Sequence, residues 1–556
     1  MTINEAPRNL DLSHAMNVKE SKVVDYIVVG GGPAACAAAS RLSEDSGVSV
    51  TLFEQGPRDW NPYIHMPVTY FKTAKGQLLS RYTLQPQIHQ GGITPEMVQG
   101  RVLGGGSSVN AMVYMRGCPE DYDHWGELGC DGWSYKDVLP YFKRAEDNER
   151  FSGEAHGQGG PLGVSDQRHT HYLTKAWLKA CQETGINYNP DFNSGKQAGC
   201  GLYQVTMRDG LRCSAAVAYL NPARSRRNLR IETNAKVLRV LVENGRAVGV
   251  EYQQGNQRKV LRAEREVIVS AGAIGSPTLL LRSGIGPADH LRSVGVPVVH
   301  DLKGVGENLQ DHVDMFLIYE LTGPHSYDKY KKLHWQAWAG LQYALFRNGP
   351  VTSNICEGGL FWYGKDDDPL PNLQYHFLPG AGVEEGAESV PSGNGCTLNV
   401  YQTRPRSRGT IRLRDGSPNS APLVDPNYLA DPYDVECLAE GVRIGQEIMQ
   451  QSALSKYVAR SYRPLRPLNT LEDRMRFVRE TAQGALHPSG ACKMGTDDMA
   501  VVDPQFRVHG IEGLRVADTS IMPTLVSGNT NAPSMMLGER LSDFIRGRYI
   551  AGTGGK

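Results

Sequence analysis

Several things are scarce in this 556-residue chain, and each scarcity removes a class of function. Formal net charge is zero, so the chain as a whole lacks the basic excess that nucleic acid or an anionic surface selects. No apolar run is long enough to span a bilayer; the longest candidate, residues 26–39, is interrupted by glycines and Pro33. The first twenty residues are polar, carry three acids and have no apolar core. They do not read as a secretory signal, and residues 1–21 are expected to form a loosely ordered arm. The ten cysteines include no C-x-x-C pair, which argues for free thiols in a reducing cytoplasm rather than a disulfide framework. Fifteen histidines occur without H-E-x-x-H or comparable ligand spacing, so nothing supports a metal site. No internal repeat or low-complexity tract is visible.

What is abundant is glycine, 62 residues, concentrated at a few places. Residues 26–29 are a short β-branched apolar run that stops at Gly30-Gly31-Gly32, as a buried parallel strand does. Residues 33–42 then read as helix, and residues 48–53 as a second strand ending at Glu54. This is a βαβ dinucleotide-binding unit. Gly30 permits the turn; Gly32 brings backbone to a pyrophosphate at the helix N-terminus; Glu54 is placed to accept ribose hydroxyls. The third fingerprint glycine is replaced by Ala35. Whether the dinucleotide is FAD or NAD is not decided by this unit.

Residues 60–93 read as an aromatic loop. A second glycine segment, residues 100–110, carries Arg101, Gly104-Gly105-Gly106, Ser107 and Asn110 and is expected to contact the cofactor through unobstructed N–H groups. Strands are expected at 229–232, 235–242, 247–252, 259–262 and 266–270, with a helix over 276–283. From about residue 313 the pattern changes to strand-like runs at 314–321, 372–378 and 397–402 and helices at 434–449 and 471–481. Residues 514–517 read as a strand that could rejoin the dinucleotide sheet and place Asp518 at its ligand-binding edge. A last helix is expected from 534 to about 549. These readings divide the chain into a dinucleotide domain (22–312), a second α+β domain (313–484) and a C-terminal return to the first (485–552).

Assembled, the motifs resemble the glucose-methanol-choline (GMC) family of FAD oxidoreductases over nearly the whole length after residue 22. The resemblance rests on the βαβ unit, on residues 100–123, on residues 272–286 (Gly272-Ala273 through Ser276-Pro277 to Gly286), and on His487-Pro488 with Asn531. HMP at 65–67, NAMVYMRG at 110–117 and SGNTNAP at 527–533 are similar to the bacterial choline and alkanol dehydrogenase branch. The resemblance implies an α/β fold, with a Rossmann-like FAD domain and an α+β substrate domain on an antiparallel sheet. It implies oxidation of an alcohol, expected to be primary, to the aldehyde, with His487 as base and Asn531 as its partner. FAD would be held by Gly30, Gly32, Pro33, Ala34, Glu54, Arg101, Leu103, Gly105, Ser107, Asn110, Ala111, Val113, Val237, Asp518 and Thr530. Val109 stands where some oxidases of the family attach flavin to a histidine, so the FAD is expected to be non-covalent. Oxygen, a quinone or a redox protein would take the electrons. In the same fold, a hydroxynitrile lyase-like activity or a non-catalytic FAD module are the alternatives. For the substrate pocket, Glu357, Trp362 and Tyr363 are candidates, with Asn354, Tyr375, His376, Met66, Phe361 and Leu378 uncommitted.

Overall fold

The computed structural model describes residues 22–73, 76–384 and 386–548; the expected N-terminal arm lies outside them. Two sheets organise the chain. In the first, strand Val23–Val29 lies between Val50–Phe53 and Gln257–Val269, parallel to both. Leu229–Glu232 extends the sheet on the outer side of Val50–Phe53. On the other side Gln257–Val269 pairs antiparallel with Arg246–Gln254, which pairs with Ala235–Glu243. The two strands expected at 259–262 and 266–270 are therefore one strand. Its first half pairs with a hairpin and its second half with the parallel core, so the polar residues between are no turn.

The short strand Leu514–Val516 does rejoin this sheet, parallel to Val267–Val269. The helix Pro33–Leu42, with Pro33 in its first turn and Gly32 as N-cap, packs on the sheet and against the C-terminal helix Asn531–Arg546. Ala35 is fully buried there. The close approach of the two helices needs Gly538, whose Cβ would lie 2.2 Å from the Ala34 carbonyl. The C-terminal helix starts three residues before the expected Ser534 and stops at Gly547, whose φ of 62° ends it.

The second sheet is antiparallel, in the order Val458–Arg463, Val313–Leu321, Gly395–Gln402, Leu373–Leu378, Gly358–Trp362 and Gly199–Leu202. Its outermost strand, 199–202, comes from the span that sequence grouped with the dinucleotide domain. So does the helix Tyr172–Glu183, whose Trp177 stacks on Phe377 at 5.4 Å. Spatial neighbours here are not chain neighbours. Residues 60–93, read as loop, contain short helices at Pro62–His65 and Tyr70–Thr73 and a strand, Leu79–Thr83, paired with Glu96–Gly100. A helix over Leu333–Phe346 had no counterpart in the sequence reading, because its apolar residues follow no 3.6-residue stripe.

Candidate functional site

A cavity of about 760 Å³ lies between the two sheets. The carboxyl ends of four parallel strands open into it, at Gly30, Glu54, Ser270 and Asp518, where open α/β sheets bind ligands. Gly30 sits at φ 112°, and a Cβ there would be 2.1 Å from the Ser270 carbonyl oxygen, so only glycine makes this turn. Gly32 and Gly106 face open space, leaving bare backbone beside the helix N-terminus. These are the properties a pyrophosphate needs.

The two acids at this end are already engaged. Glu54 accepts hydrogen bonds from the N–H of Gly31 (2.9 Å) and Gly56 (2.6 Å), and burial pushes its carboxyl up to about 7. Asp518 accepts from Gly272 N–H (2.9 Å), Ser276 Oγ (2.5 Å) and Ser520 N–H (2.9 Å). It ties the start of the helix Gly272–Arg282 to the returning C-terminal segment. Pro33, Ala34, Arg101, Gly105, Ser107, Asn110, Ala111, Val113, Val237 and Thr530 also line the cavity. Leu103 does not. It packs in the main core, 1% exposed, and only its backbone serves the loop, accepting from Ser108 Oγ at 2.8 Å; a leucine between glycines is a packing residue here. Beneath the loop, the buried Arg212 donates to Ile64 O, Ser107 O and Asn110 Oδ1 at 2.7–3.1 Å. Burial lowers its guanidinium to about 9.

At the other end His487 and Asn531 share one wall. Leu486, just before His487, has φ 64°, a strained conformation for leucine that aims the next side chain inward. Asp311 Oδ1 accepts the His487 backbone N–H at 2.7 Å, and Tyr428 Oη donates to its Oδ2 at 2.7 Å. The His487 ring is held by two partners that sequence reasoning missed. His312 Nδ1 lies 2.9 Å from His487 Nδ1, and His312 Nε2 lies 3.0 Å from the Val526 carbonyl. That carbonyl can only accept, so His312 carries its proton on Nε2 and its Nδ1 accepts from His487 Nδ1–H. His487 Nε2 is then the unprotonated nitrogen, and Asn529 Nδ2 donates to it at 3.2 Å. Burial lowers the His487 imidazole to about 4. The ring is therefore neutral at ordinary pH, its lone pair on the cavity side.

Asn531 occupies the first turn of the C-terminal helix. It is 9% exposed, and neither its amide nitrogen nor its oxygen has a hydrogen-bond partner. Leaving them unpaired costs about 1–3 kcal/mol for each group, which a ligand in the cavity would recover. No local signal could have found His312, which looks like one polar residue in a glycine loop, or Asn529, two residues from Asn531.

The expected pocket segment is mostly structural. Glu357 is fully buried and accepts from Tyr327 Oη, Ser353 Oγ, Thr174 Oγ1 and His171 N–H at 2.5–2.7 Å. Trp362 and Tyr363 line a separate surface depression. The cavity wall instead carries His376, Asp314, Glu384, Tyr70, Tyr401 and Phe316. Burial raises the Asp314 and Glu384 carboxyls and lowers His376 to about 3.

Family models for GMC oxidoreductases match residues 24–314 and 405–538. The chain belongs to the GMC oxidoreductase family. This GMC chain is 40% identical over 526 residues to an alcohol dehydrogenase [acceptor] of Pseudomonas putida, covering 94% of this chain and 95% of the relative. It is 43% identical over 532 residues to an oxygen-dependent choline dehydrogenase of Paraburkholderia xenovorans, covering 94% of each. The crystal structure of pyridoxine 4-oxidase from Mesorbium loti superposes with a TM-score of 0.86 at 28% identity, over 95% of this chain and 100% of that one. It is thus an oxidoreductase of the class acting on CH–OH donors, and its family implies FAD. The cavity fits that cofactor, with bare glycine backbone at one end and the unpaired Asn531 amide beside the His487 imidazole at the other.

Proposed function

We propose that this protein oxidises a primary alcohol to the aldehyde, with His487 taking the hydroxyl proton. FAD, when bound, supplies the two-electron acceptor for the hydride leaving the carbinol carbon. The observation that carries the reading is the hydrogen-bond chain from the Val526 carbonyl through His312 to His487 Nδ1. The Val526 carbonyl and His312 hold its proton on Nδ1, which presents Nε2 as the base. A hydroxyl that displaces the Asn529 amide meets this lone pair, and the unpaired Asn531 amide donates to the same oxygen as negative charge develops. Gly30, Gly32, Pro33 and Ala34 would hold the pyrophosphate, Glu54 and Val237 the adenosine, and Arg101, Gly105, Ser107, Asn110, Ala111, Val113 and Thr530 the flavin side. Val109 offers no nucleophile, so we expect FAD to be released by acid precipitation. The catalytic pair comes from the C-terminal return, residues 485–552, while 22–312 and 313–484 supply most of the cofactor and substrate walls. Oxygen or a quinone takes the electrons on the cytoplasmic side.

Glu384 and Asp314, set among Tyr70, Tyr401 and Phe316, favour a substrate with a cationic head. A cation draws both carboxyls back to the charged form and contacts the ring faces. The test is anaerobic mixing of the yellow holoenzyme with choline, aliphatic and benzylic alcohols while following flavin absorbance. Bleaching by any of them supports alcohol oxidation, and preference for choline supports the cationic head. Cyanohydrin cleavage without bleaching would establish a lyase in this fold instead, and inertness to both a non-catalytic FAD module.

A further inference from the structure

The helix Leu333–Phe346 contains no Asp, Glu, Lys or Arg in its fourteen residues. A helix on a soluble surface ordinarily buries an apolar stripe and shows a polar one. Here only Ala339 and Tyr343 are buried, while Leu333 is 80%, Trp338 60% and Phe346 68% exposed, with Leu341 and Leu345 exposed beside them. So large an apolar surface marks a contact.

We propose that this helix lies in the surface of an anionic lipid bilayer and holds the protein there. Charge selects the occupant. No acidic residue occurs between Asp328 and Glu357, whereas Lys329, Lys331 and Lys332 precede the helix and Arg347 closes it. Lys329 sits over the rings of Tyr330 and Trp335 at 5.2 and 5.5 Å, and Arg347 over Tyr343 at 4.9 Å. Lys331 is already paired with Asp328 at 2.8 Å, but a second copy packed helix to helix would set Lys329, Lys332 and Arg347 against one another in either orientation, with no carboxylate between residues 329 and 356 to pair them. Anionic headgroups complement both ends, and the tryptophans suit the headgroup level. At about 21 Å the helix is too short to cross a bilayer, and no helix among the described residues is long and apolar enough to do so; it would lie flat.

Its seat connects it to the cavity. Tyr343 Oη donates to the Gly210 carbonyl at 3.2 Å. Tyr330, on the approach, packs on the cluster containing the cavity-lining Tyr70 and Val113. Beyond the helix, Asn354 Nδ2 donates to the carbonyl of Ala111, another cavity residue, at 2.7 Å. Docking would therefore bring the substrate wall near the bilayer, where a lipid-soluble quinone is available. This last step rests on the proposed oxidation; the docking itself does not.

The test is co-sedimentation of the FAD-loaded protein with phosphatidylcholine vesicles containing about a third phosphatidylglycerol, and with phosphatidylcholine alone. We expect binding to the anionic vesicles, roughly tenfold weaker binding to the neutral ones, and loss of binding in Trp338→Glu/Leu341→Glu. That variant should bleach with a water-soluble alcohol at the wild-type rate. Failure to bind anionic vesicles, or binding unchanged in the variant, would overturn the proposal. So would a wild-type dimer that the variant converts to monomer in sedimentation velocity, which would assign the helix to a second copy. Vesicle binding by a protein that no alcohol bleaches would leave the docking standing and refute the oxidation.

Discussion

The two ends of the cavity are built by opposite means. At the strand ends around Gly30, Gly32 and Gly105, the site is made of backbone, and side chains matter mostly by their absence. At the end around His487, it is made of side chains, and each is positioned by another: Asp311 and Tyr428 hold the backbone, His312 the ring, Gln374 the Asn529 amide (3.3 Å). Each turn of a backbone site is local, because consecutive residues form it. A side-chain relay is not; His312 and His487 are 175 residues apart. The first is written in a motif and the second only in the fold.

Substitutions at four positions separate the ends. His487→Ala should slow flavin reduction by about 10³-fold while FAD content, read from the absorbance ratio, stays normal. The wild-type rate should hold steady down through pH 6 and fall as pH drops through about 4, because the lowered imidazole stays unprotonated until then; an acid limb near 6.5, the ordinary imidazole value, would show that burial does not lower the His487 ring. Gly30→Val should do the reverse of His487→Ala. It forces a branched side chain to φ 112° with its Cβ on the Ser270 carbonyl, costing about 1–3 kcal/mol in strain alone. The expected outcome is a colourless protein with a lower melting temperature.

His312→Phe removes the acceptor that sets the His487 tautomer. Reduction should slow by about 10²-fold with FAD retained, and His312→Gln, which restores an acceptor oxygen, should recover part of the rate. Equal rates in the two variants would mean that His312 only fills space. The smallest effect is expected from Ala35→Gly, about 1 kcal/mol of helix propensity seen as a modest drop in melting temperature, with FAD affinity unchanged. A large change in affinity would make Ala35 part of the cofactor site rather than the seam between the first and last helices.

The helix Leu333–Phe346 gives a different comparison with the sequence. Zero net charge argued against an anionic surface as main partner. That sum averages over the chain, whereas a bilayer meets only the patch facing it, and Lys329 to Arg347 is locally basic and apolar. The strand 199–202 and the helix Tyr172–Glu183 make the same point for architecture. No local pattern marks Gly199–Leu202 as a strand; hydrogen bonding to Gly358–Phe361 places it, and packing on Phe377 places the helix, with the second sheet.

From the residues alone came the βαβ unit, the glycine loop and a strand near residues 514–517, and from the family resemblance the pair His487 and Asn531. Each depends on local backbone geometry or on a motif short enough to survive as consecutive residues. The tertiary structure alone decided which nitrogen of His487 is free, that Glu384 and Asp314 rather than Glu357 face the cavity, and that an uncharged helix stands exposed between basic ends. Those depend on burial and on hydrogen bonds between distant segments, and neither is a property of any short stretch of chain.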